Sequence, residues 1–159
     1  ALLSVLSLPV KAGGWEEVIE KMKKVRPSDL VVLLQIERGS QYLLGIYDTR
    51  IDSFDKDLRR FKLWEERDEN VKISAESARC NPEEPLRVKH TEKAIYLRRI
   101  NPGGSVNSVN REDHVVWWAA CAPDLAGIDP STLHKEALTR GFSTKLIESQ
   151  EVLQIPLPP

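Results

Sequence analysis

Short apolar runs separated by turn residues predict several β-strands in a chain of mixed helix and strand. The run over residues 30–36 is almost wholly apolar, which predicts a strand covered on both faces and central in a sheet. Gly39 and Ser40 separate it from a second apolar run over residues 42–47, so the two runs predict a hairpin. The other predicted strands lie near residues 2–8, 61–66, 71–78, 86–88, 94–100, 114–121 and 152–157.

Two further segments have the apolar spacing of a helix. Residues 15–25 place acidic residues toward the amino end and basic residues toward the carboxyl end, as the helix dipole favours. Their apolar positions recur at helical spacing, at Trp15, Val18, Ile19, Met22 and Val25. Asp129 and Pro130 are typical of a helix start, and Gly141 of a helix end. A short helix is also expected from Asp52 or Ser53, ahead of the strand near residue 61.

The order of these elements predicts the fold class. A strand and a helix precede a middle region rich in hairpins, and a helix and a strand follow it. Short hairpin connections favour antiparallel pairing, and long alternation of parallel strands with helices is missing. We therefore expect an α+β fold, with a mostly antiparallel sheet built from hairpins and two or three helices packed on it. A length of 159 residues predicts a single domain over residues 1–159.

Composition narrows the class of protein. Hydrophobic residues make up 41% and charged residues 30%, which is enough for a core and excludes a disordered chain. The formal net charge of −1 gives no overall field to attract nucleic acid or an anionic membrane. No apolar run approaches the roughly 20 residues of a membrane-spanning helix. We therefore expect a soluble protein without a membrane span.

The cysteines and the first residues bear on the compartment. Cys80 and Cys121 are the only cysteines, which is too few for a disulfide framework. The sequence favours a reducing, intracellular setting with two buried thiols, and leaves open a single bridge between them. Residues 1–8 resemble the apolar part of a signal peptide, but no basic residue precedes them, so a first strand is favoured.

A metal site is the first candidate for chemistry. The chain contains the ligand types of a structural zinc site at four positions, Cys80, His90, His114 and Cys121. No two of them have the close spacing of such sites, and each lies in a different predicted element. The sequence therefore predicts no metal and no cofactor.

Covalent catalysis is the second candidate. Cys121 or Ser131 would be the nucleophile, with His114 or His134 as its base. The chain has no nucleophile-elbow motif, and the loop at Gly103 lacks the lysine of a phosphate-binding loop. These absences weigh against an enzyme.

Charge is unevenly distributed along the chain. The stretch from residue 86 to residue 111 holds one acidic residue, Glu92, and six basic ones: Arg87, Lys89, Lys93, Arg98, Arg99 and Arg111. Bases beside Tyr96 would bind nucleic acid by phosphate contacts and stacking. No known nucleic-acid-binding motif accompanies them, so an acidic patch on a protein partner is the favoured counterpart.

The tandem Trp117 and Trp118 lie in the predicted strand over residues 114–121. Neighbouring residues of a strand point to opposite faces, so only one of the two would lie on the core face. The other would pack under a helix or act as an interface anchor, since tryptophan is enriched at binding hot spots.

These features together favour a non-catalytic module for protein interaction or assembly. Its partner would be another protein or another copy of the chain. A nucleic-acid-binding domain that uses the basic stretch is the alternative, and a small enzyme with an unrecognised site is the second alternative.

Overall fold

Seven antiparallel strands follow one another across a single sheet in chain order. This computed structural model describes Glu17 and residues 25–156. The strands are β1 Val31–Ile36, β2 Tyr42–Ile51, β3 Leu58–Arg67, β4 Asn70–Arg79, β5 Leu86–His90, β6 Ala94–Arg99 and β7 Ser149–Gln154. Within residues 25–156 the helices are α1 Arg111–Cys121 and α2 His134–Thr139, with 3-10 helices at Pro123–Leu125 and Pro130–Thr132. The predicted antiparallel sheet is confirmed, and its strands outweigh the helices.

Cross-strand pairing defines the two faces of the sheet, because paired residues project from the same face. Ile46 pairs with Leu63, and Phe61 pairs with Glu76. These residues belong to the face that packs against α1, which we call the helix face. We call the opposite one the far face, and on it Trp64 is buried whereas Ile73 and Leu153 are exposed.

Helix α1 replaces the strand predicted over residues 114–121. It is buried along its whole length from His114 to Ala120. The sheet covers one side, while Leu133, Ala137 and Phe142 from the carboxyl-terminal region join the same apolar core. The prediction of a strand was wrong because a short, unbroken apolar run does not distinguish a fully buried helix from a buried strand.

The other sequence predictions have mixed outcomes. Residues 31–36 form a strand at the edge of the sheet instead of at its centre, with Val31 and Val32 exposed. The expected helix near Asp52 is absent, and this carboxylate instead accepts hydrogen bonds from the amides of Phe54 and Asp55 in a turn. The predicted hairpins over residues 30–47, 61–78 and 86–100 are confirmed. The predicted strand at 2–8 and helix at 15–25 fall almost entirely outside the described residues.

The helix predicted over residues 129–141 is present as two shorter helices, the 3-10 helix Pro130–Thr132 and α2. Asp129 caps the second 3-10 helix by accepting a hydrogen bond from the amide of Ser131 at 3.0 Å. Helix α2 follows, and Gly141 adopts a φ of +89° just beyond its end. A positive φ favours glycine at such a helix end, as the sequence predicted.

A disulfide joins Cys80, just after β4, to Cys121, the last residue of α1. The Cα atoms are 5.5 Å apart, and 41 positions of sequence separate the residues. The sequence allowed a single disulfide between these cysteines as an alternative to free thiols. The structure contains this disulfide, so the two cysteines are not free thiols. Disulfides are uncommon in a reducing setting, so this bond weighs against the expected intracellular setting, which stays a prediction.

Among the described residues, none of the helices combines the length and the apolar character that crossing a membrane requires.

Candidate functional site

Strand β7 forms an open edge of the sheet. Among the described strands it pairs with β6 alone, in an unbroken antiparallel register over all six of its residues. All six residues are exposed. An edge strand of this kind presents unpaired backbone amides and carbonyls, which are a template for another strand.

The hydrogen-bonding pattern identifies which backbone groups of β7 face outward. The amide of Ile155 donates to the carbonyl of Lys93 at 3.0 Å, so residue 155 bonds toward β6. Antiparallel pairs alternate between bonded and non-bonded positions. Residues 149, 151 and 153 therefore bond toward β6 as well, which leaves the amides and carbonyls of Gln150, Val152 and Gln154 directed to the open side.

The opposite edge, β1, is protected in two ways. Its register with β2 shifts between Val32 and Leu34, which is a bulge, and bulges disrupt edge pairing. The loop at Gly127 also lies against it: a Cβ atom at this glycine would lie 3.3 Å from the carbonyl oxygen of Val32. Gly127 has a φ of +82°, so it suits this loop both by conformation and by size. Within residues 25–156, strand β7 has neither a bulge nor a covering loop.

Apolar side chains flank the open edge on both faces. Val152 lies on the helix face, where it pairs with Tyr96, and is 40% exposed. Leu153 lies on the far face, where it pairs with Ile95, and is 43% exposed. A strand added to β7 would cover part of both side chains, so side-chain burial would add to backbone pairing.

Helix α1 and strand β6 hold β7 in place. Glu148, the residue before β7, accepts a hydrogen bond from the Asn110 side chain at 2.6 Å and lies 3.3 Å from Nε2 of His114. Nε of Arg98 donates to the side-chain oxygen of Gln150 at 2.8 Å. These contacts fix the start of the strand, and the edge is therefore preorganised for pairing.

An ion cluster lies between α1 and the strands next to this edge. The guanidinium of Arg87, which is fully buried, donates from Nε to Glu76 at 2.9 Å and from Nη1 to Asp113 at 2.8 Å. Arg98 reaches the same oxygen of Asp113 at 3.1 Å. Burial alone would lower the pKa of Arg87, but the carboxylates of Glu76, Asp113 and Glu112 reverse this effect and raise it. Arg87 therefore stays charged.

His114 is buried in α1 and is the titratable link between the helix and β7. Burial lowers its pKa below the usual 6.5, and the neighbouring carboxylate of Glu148 opposes this shift. Nδ1 of His114 is buried and has no hydrogen-bond partner among the residues that the structure describes. The ring is therefore held mainly by packing and by its contact with Glu148.

The basic residues that the sequence grouped together have different surroundings in the structure. Arg87 is inside the ion cluster and Arg98 is at its margin, while Arg99 pairs with Glu84 at 3.5 Å and Arg111 with Asp129 at 2.7 Å. Lys89 lines a groove of about 630 Å³ on the helix face, and Lys93 is exposed beside the β5–β6 turn. Four of the six bases are thus paired with acids of the same chain, and the predicted basic patch stays a prediction.

The two tryptophans predicted as interface candidates both lie in the core. Trp117 and Trp118 are each 1% exposed, and their rings meet edge to face with centroids 5.1 Å apart. Trp117 also meets the ring of Phe142 and donates from Nε1 to the carbonyl of Arg79 at 2.9 Å. The expectation that one of them faces away from the core is wrong, because a helix enclosed on all sides buries successive residues.

The structure separates the candidate zinc ligands. Cys80 and Cys121 are bonded to each other, so neither is a thiolate ligand or a nucleophile. His90 is exposed at the end of β5, away from the buried His114 of α1. Within the described part of the chain, no three histidine, cysteine or acidic side chains are grouped so as to hold a metal ion.

Ser131 and His134, the other candidate nucleophile and base, line one open pocket together with Gly103 and Gly104. The Ser131 hydroxyl donates to the Asp129 carboxylate at 2.8 Å, as part of the 3-10 helix cap. A nucleophile needs its base within hydrogen-bond reach. The amide and the hydroxyl of Ser131 both donate to Asp129, which is the capping residue.

Comparison of the chain with protein-family models, with curated proteins and with solved structures found no match. The open edge of β7 was not among the sites suggested by the sequence. The signal available for it was weak: residues 149–154 alternate poorly and hold two apolar residues, Val152 and Leu153. Only the pairing order of the strands identifies this segment as an edge.

Proposed function

We propose that this chain is a non-catalytic assembly module that binds a partner protein by strand addition at the open edge of β7. The observation that supports this proposal is the contrast between the two edges of one sheet. Edge β1 has a bulge and a covering loop, whereas β7 has a regular, exposed backbone whose start is hydrogen-bonded through Glu148 and Gln150. Natural sheets generally protect edges that do not bind.

The chemistry of the edge defines the partner. Added strands bind through main-chain hydrogen bonds, and their side chains contact the residues that flank the edge. At β7 the flanking residues are Val152 on the helix face and Leu153 on the far face. The partner is therefore an extended segment with apolar residues near its middle. Because Glu151 is the one charged residue of β7, the edge has little charge to repel such a segment.

Proline at an outward-facing position tests this proposal. Val152→Pro removes an amide that points to the open side, so it blocks strand addition without breaking a bond to β6. Val152→Thr keeps the amide and is the matched control. Extended peptides are first selected from a displayed random library for binding to the wild-type chain. We expect these peptides to bind Val152→Thr, and to bind Val152→Pro with an affinity at least about tenfold lower.

Hydrogen exchange locates the bound peptide. A peptide that pairs with β7 should protect the amides of residues 150, 152 and 154. Circular dichroism and thermal unfolding establish that Val152→Pro is folded; should it not fold, Val152→Lys replaces it, because an edge lysine opposes pairing. Peptides that bind both variants equally, or protect amides elsewhere only, would refute strand addition at β7.

A further inference from the structure

We infer that the strand received by β7 is β7 of a second copy, paired antiparallel about a two-fold axis at Val152. This inference rests on the proposed function and specifies its partner. Pairing of the two edges would join two seven-stranded sheets into one continuous sheet. The interface would be isologous, with the same surface contributed by both copies, as in most homodimers.

The outward-facing groups restrict the register of such a pair. Only residues 150, 152 and 154 direct backbone groups to the open side, so they must bond with their counterparts in the second copy. In the register centred on Val152, the two Val152 residues face each other, and Gln150 faces Gln154. The positions between them bring Glu151 opposite Leu153. No two like charges are opposed.

The neighbouring register is disfavoured by charge. A shift that places Gln150 opposite Val152 would bring the two Glu151 side chains directly opposite each other. Like charges in directly opposed positions destabilise a strand pair. Glu151 therefore excludes the register centred on itself. The opposite shift, centred on Leu153, would place Pro156, which has no amide to donate, opposite Gln150, so the register centred on Val152 forms more hydrogen bonds.

Two further features favour a second copy. The formal net charge of −1 produces little repulsion between identical chains. Pairing would also cover the side chains of Val152 and Leu153, which are 40% and 43% exposed, in both copies at once. The pair buries only a strand edge, so we expect a weak dimer whose population depends on concentration.

Cysteine pairs test the register directly. In a bonded antiparallel pair the Cα atoms are about 5.5 Å apart, which suits a disulfide. Val152→Cys should therefore form a cross-linked dimer under mild oxidation. Leu153→Cys is the matched control, because the two Leu153 Cα atoms would be roughly 8 Å apart in this register. The native Cys80 and Cys121 are bonded to each other and do not compete.

The decisive experiment combines this cross-linking with sedimentation equilibrium of the wild-type, Val152→Pro and Val152→Thr chains. We expect the wild-type chain and Val152→Thr to dimerise, Val152→Pro to stay monomeric, and Val152→Cys to cross-link several-fold more than Leu153→Cys. Equal or stronger cross-linking of Leu153→Cys would overturn the register. A wild-type chain that stays monomeric up to about 1 mM would overturn the second copy as partner.

The two proposals fail in distinguishable ways. A monomeric wild-type chain that still binds selected peptides through β7, with loss in Val152→Pro, would overturn only the inference about the second copy. A dimer that forms equally well in Val152→Pro would show that the copies meet elsewhere, which also overturns the inference. Strand addition itself is refuted only by peptide binding that does not involve residues 150, 152 and 154.

Discussion

The helix face of the sheet is apolar toward β2 and β3 and charged toward β5 and β6, although one helix covers both regions. Under α1, Leu44, Ile46, Phe61 and Leu63 form a dry core. Further along the same face, Arg87 pairs across strands with Arg98, and their charges are balanced by Glu76 and Asp113. The first region is stabilised by burial of apolar area, and the second by mutual neutralisation of charges.

The difference shows how the sheet changes from a core into a binding edge. Apolar residues must be covered, so the β2–β3 region needs the helix above it. Charged residues tolerate a thinner cover, because water reaches Asp113 and Arg98, whose side chains are 17% and 32% exposed. Beyond them, β7 has no cover among the described elements. The sheet thus becomes progressively more open from β3 to β7.

Truncation in the apolar region should have the largest effect. Phe61 is 2% exposed, so Phe61→Ala should lower the free energy of unfolding by about 3–5 kcal/mol through lost burial and a cavity. Urea denaturation measures this change. Ile73→Ala on the far face is the control, since Ile73 is 54% exposed and its loss should cost less than about 1 kcal/mol. Equal losses in both variants would mean that α1 does not cover a core.

Neutralising the ion cluster should be almost as costly. Arg87→Met keeps most of the side-chain volume but leaves the buried carboxylate of Glu76 without its partner, which should cost about 3–5 kcal/mol. The double variant Arg87→Met with Glu76→Met removes both charges and should recover a large part of that loss. The free energies of unfolding of these two variants, of Glu76→Met alone and of the wild-type chain together give the coupling free energy between Arg87 and Glu76. No recovery would show that packing, not charge balance, dominates this region.

Loss of the disulfide should weaken the link between the sheet and the end of α1. The bond closes a loop with a sequence separation of 41, for which the entropy of the unfolded chain predicts a stabilisation of about 4 kcal/mol at most. Cys80→Ser with Cys121→Ser should therefore lower the free energy of unfolding by about 2–4 kcal/mol. The reduced wild-type chain is the matched control, and its free energy of unfolding should fall by a similar amount. Unchanged stability in both would mean that the bond does not constrain the unfolded chain.

The smallest expected effect is a dependence of stability on pH that arises at His114. Its pKa is lowered in the folded chain, so the unfolded chain binds more protons as the pH falls below about 6.5. Stability is therefore full above this pH and declines below it, by at most about 1.4 kcal/mol per pH unit. His114→Gln should flatten the profile between pH 6.5 and 5. An unchanged slope would assign the dependence to other groups.

The sequence predicted the strands better than the helix beneath which they pack. The hairpins over residues 30–47 and 61–78 were accessible because polar turns interrupt apolar runs of strand length. Residues 114–121 were assigned to a strand because Val115, Val116 and the two tryptophans are consecutive. A helix buried on all sides has no polar stripe to mark its period, so no pattern in this segment indicated a helix.

The candidate edge was not predictable from the sequence for a related reason. Whether a strand is central or at an edge depends on which strands pair with it, and pairing order is a property of the whole sheet. The apolar run of β1 predicted a central strand, yet β1 lies at one edge, and the modest sequence of β7 forms the other. The charges of Arg87 and Arg98 were visible in the sequence, but their acidic partners, Glu76 and Asp113, lie in other elements.

The route of the chain to β7 sets the order in which the molecule is expected to assemble. Strands β1 to β6 are joined by successive hairpins, whose contacts are local and form quickly. Strand β7 joins β6 only after residues 100–148, which include α1, have been placed. During synthesis β6 is therefore the temporary edge, and β7 completes the sheet last. A neighbouring nascent chain could donate its own β7 at that moment, so crowded synthesis would favour exchanged strands.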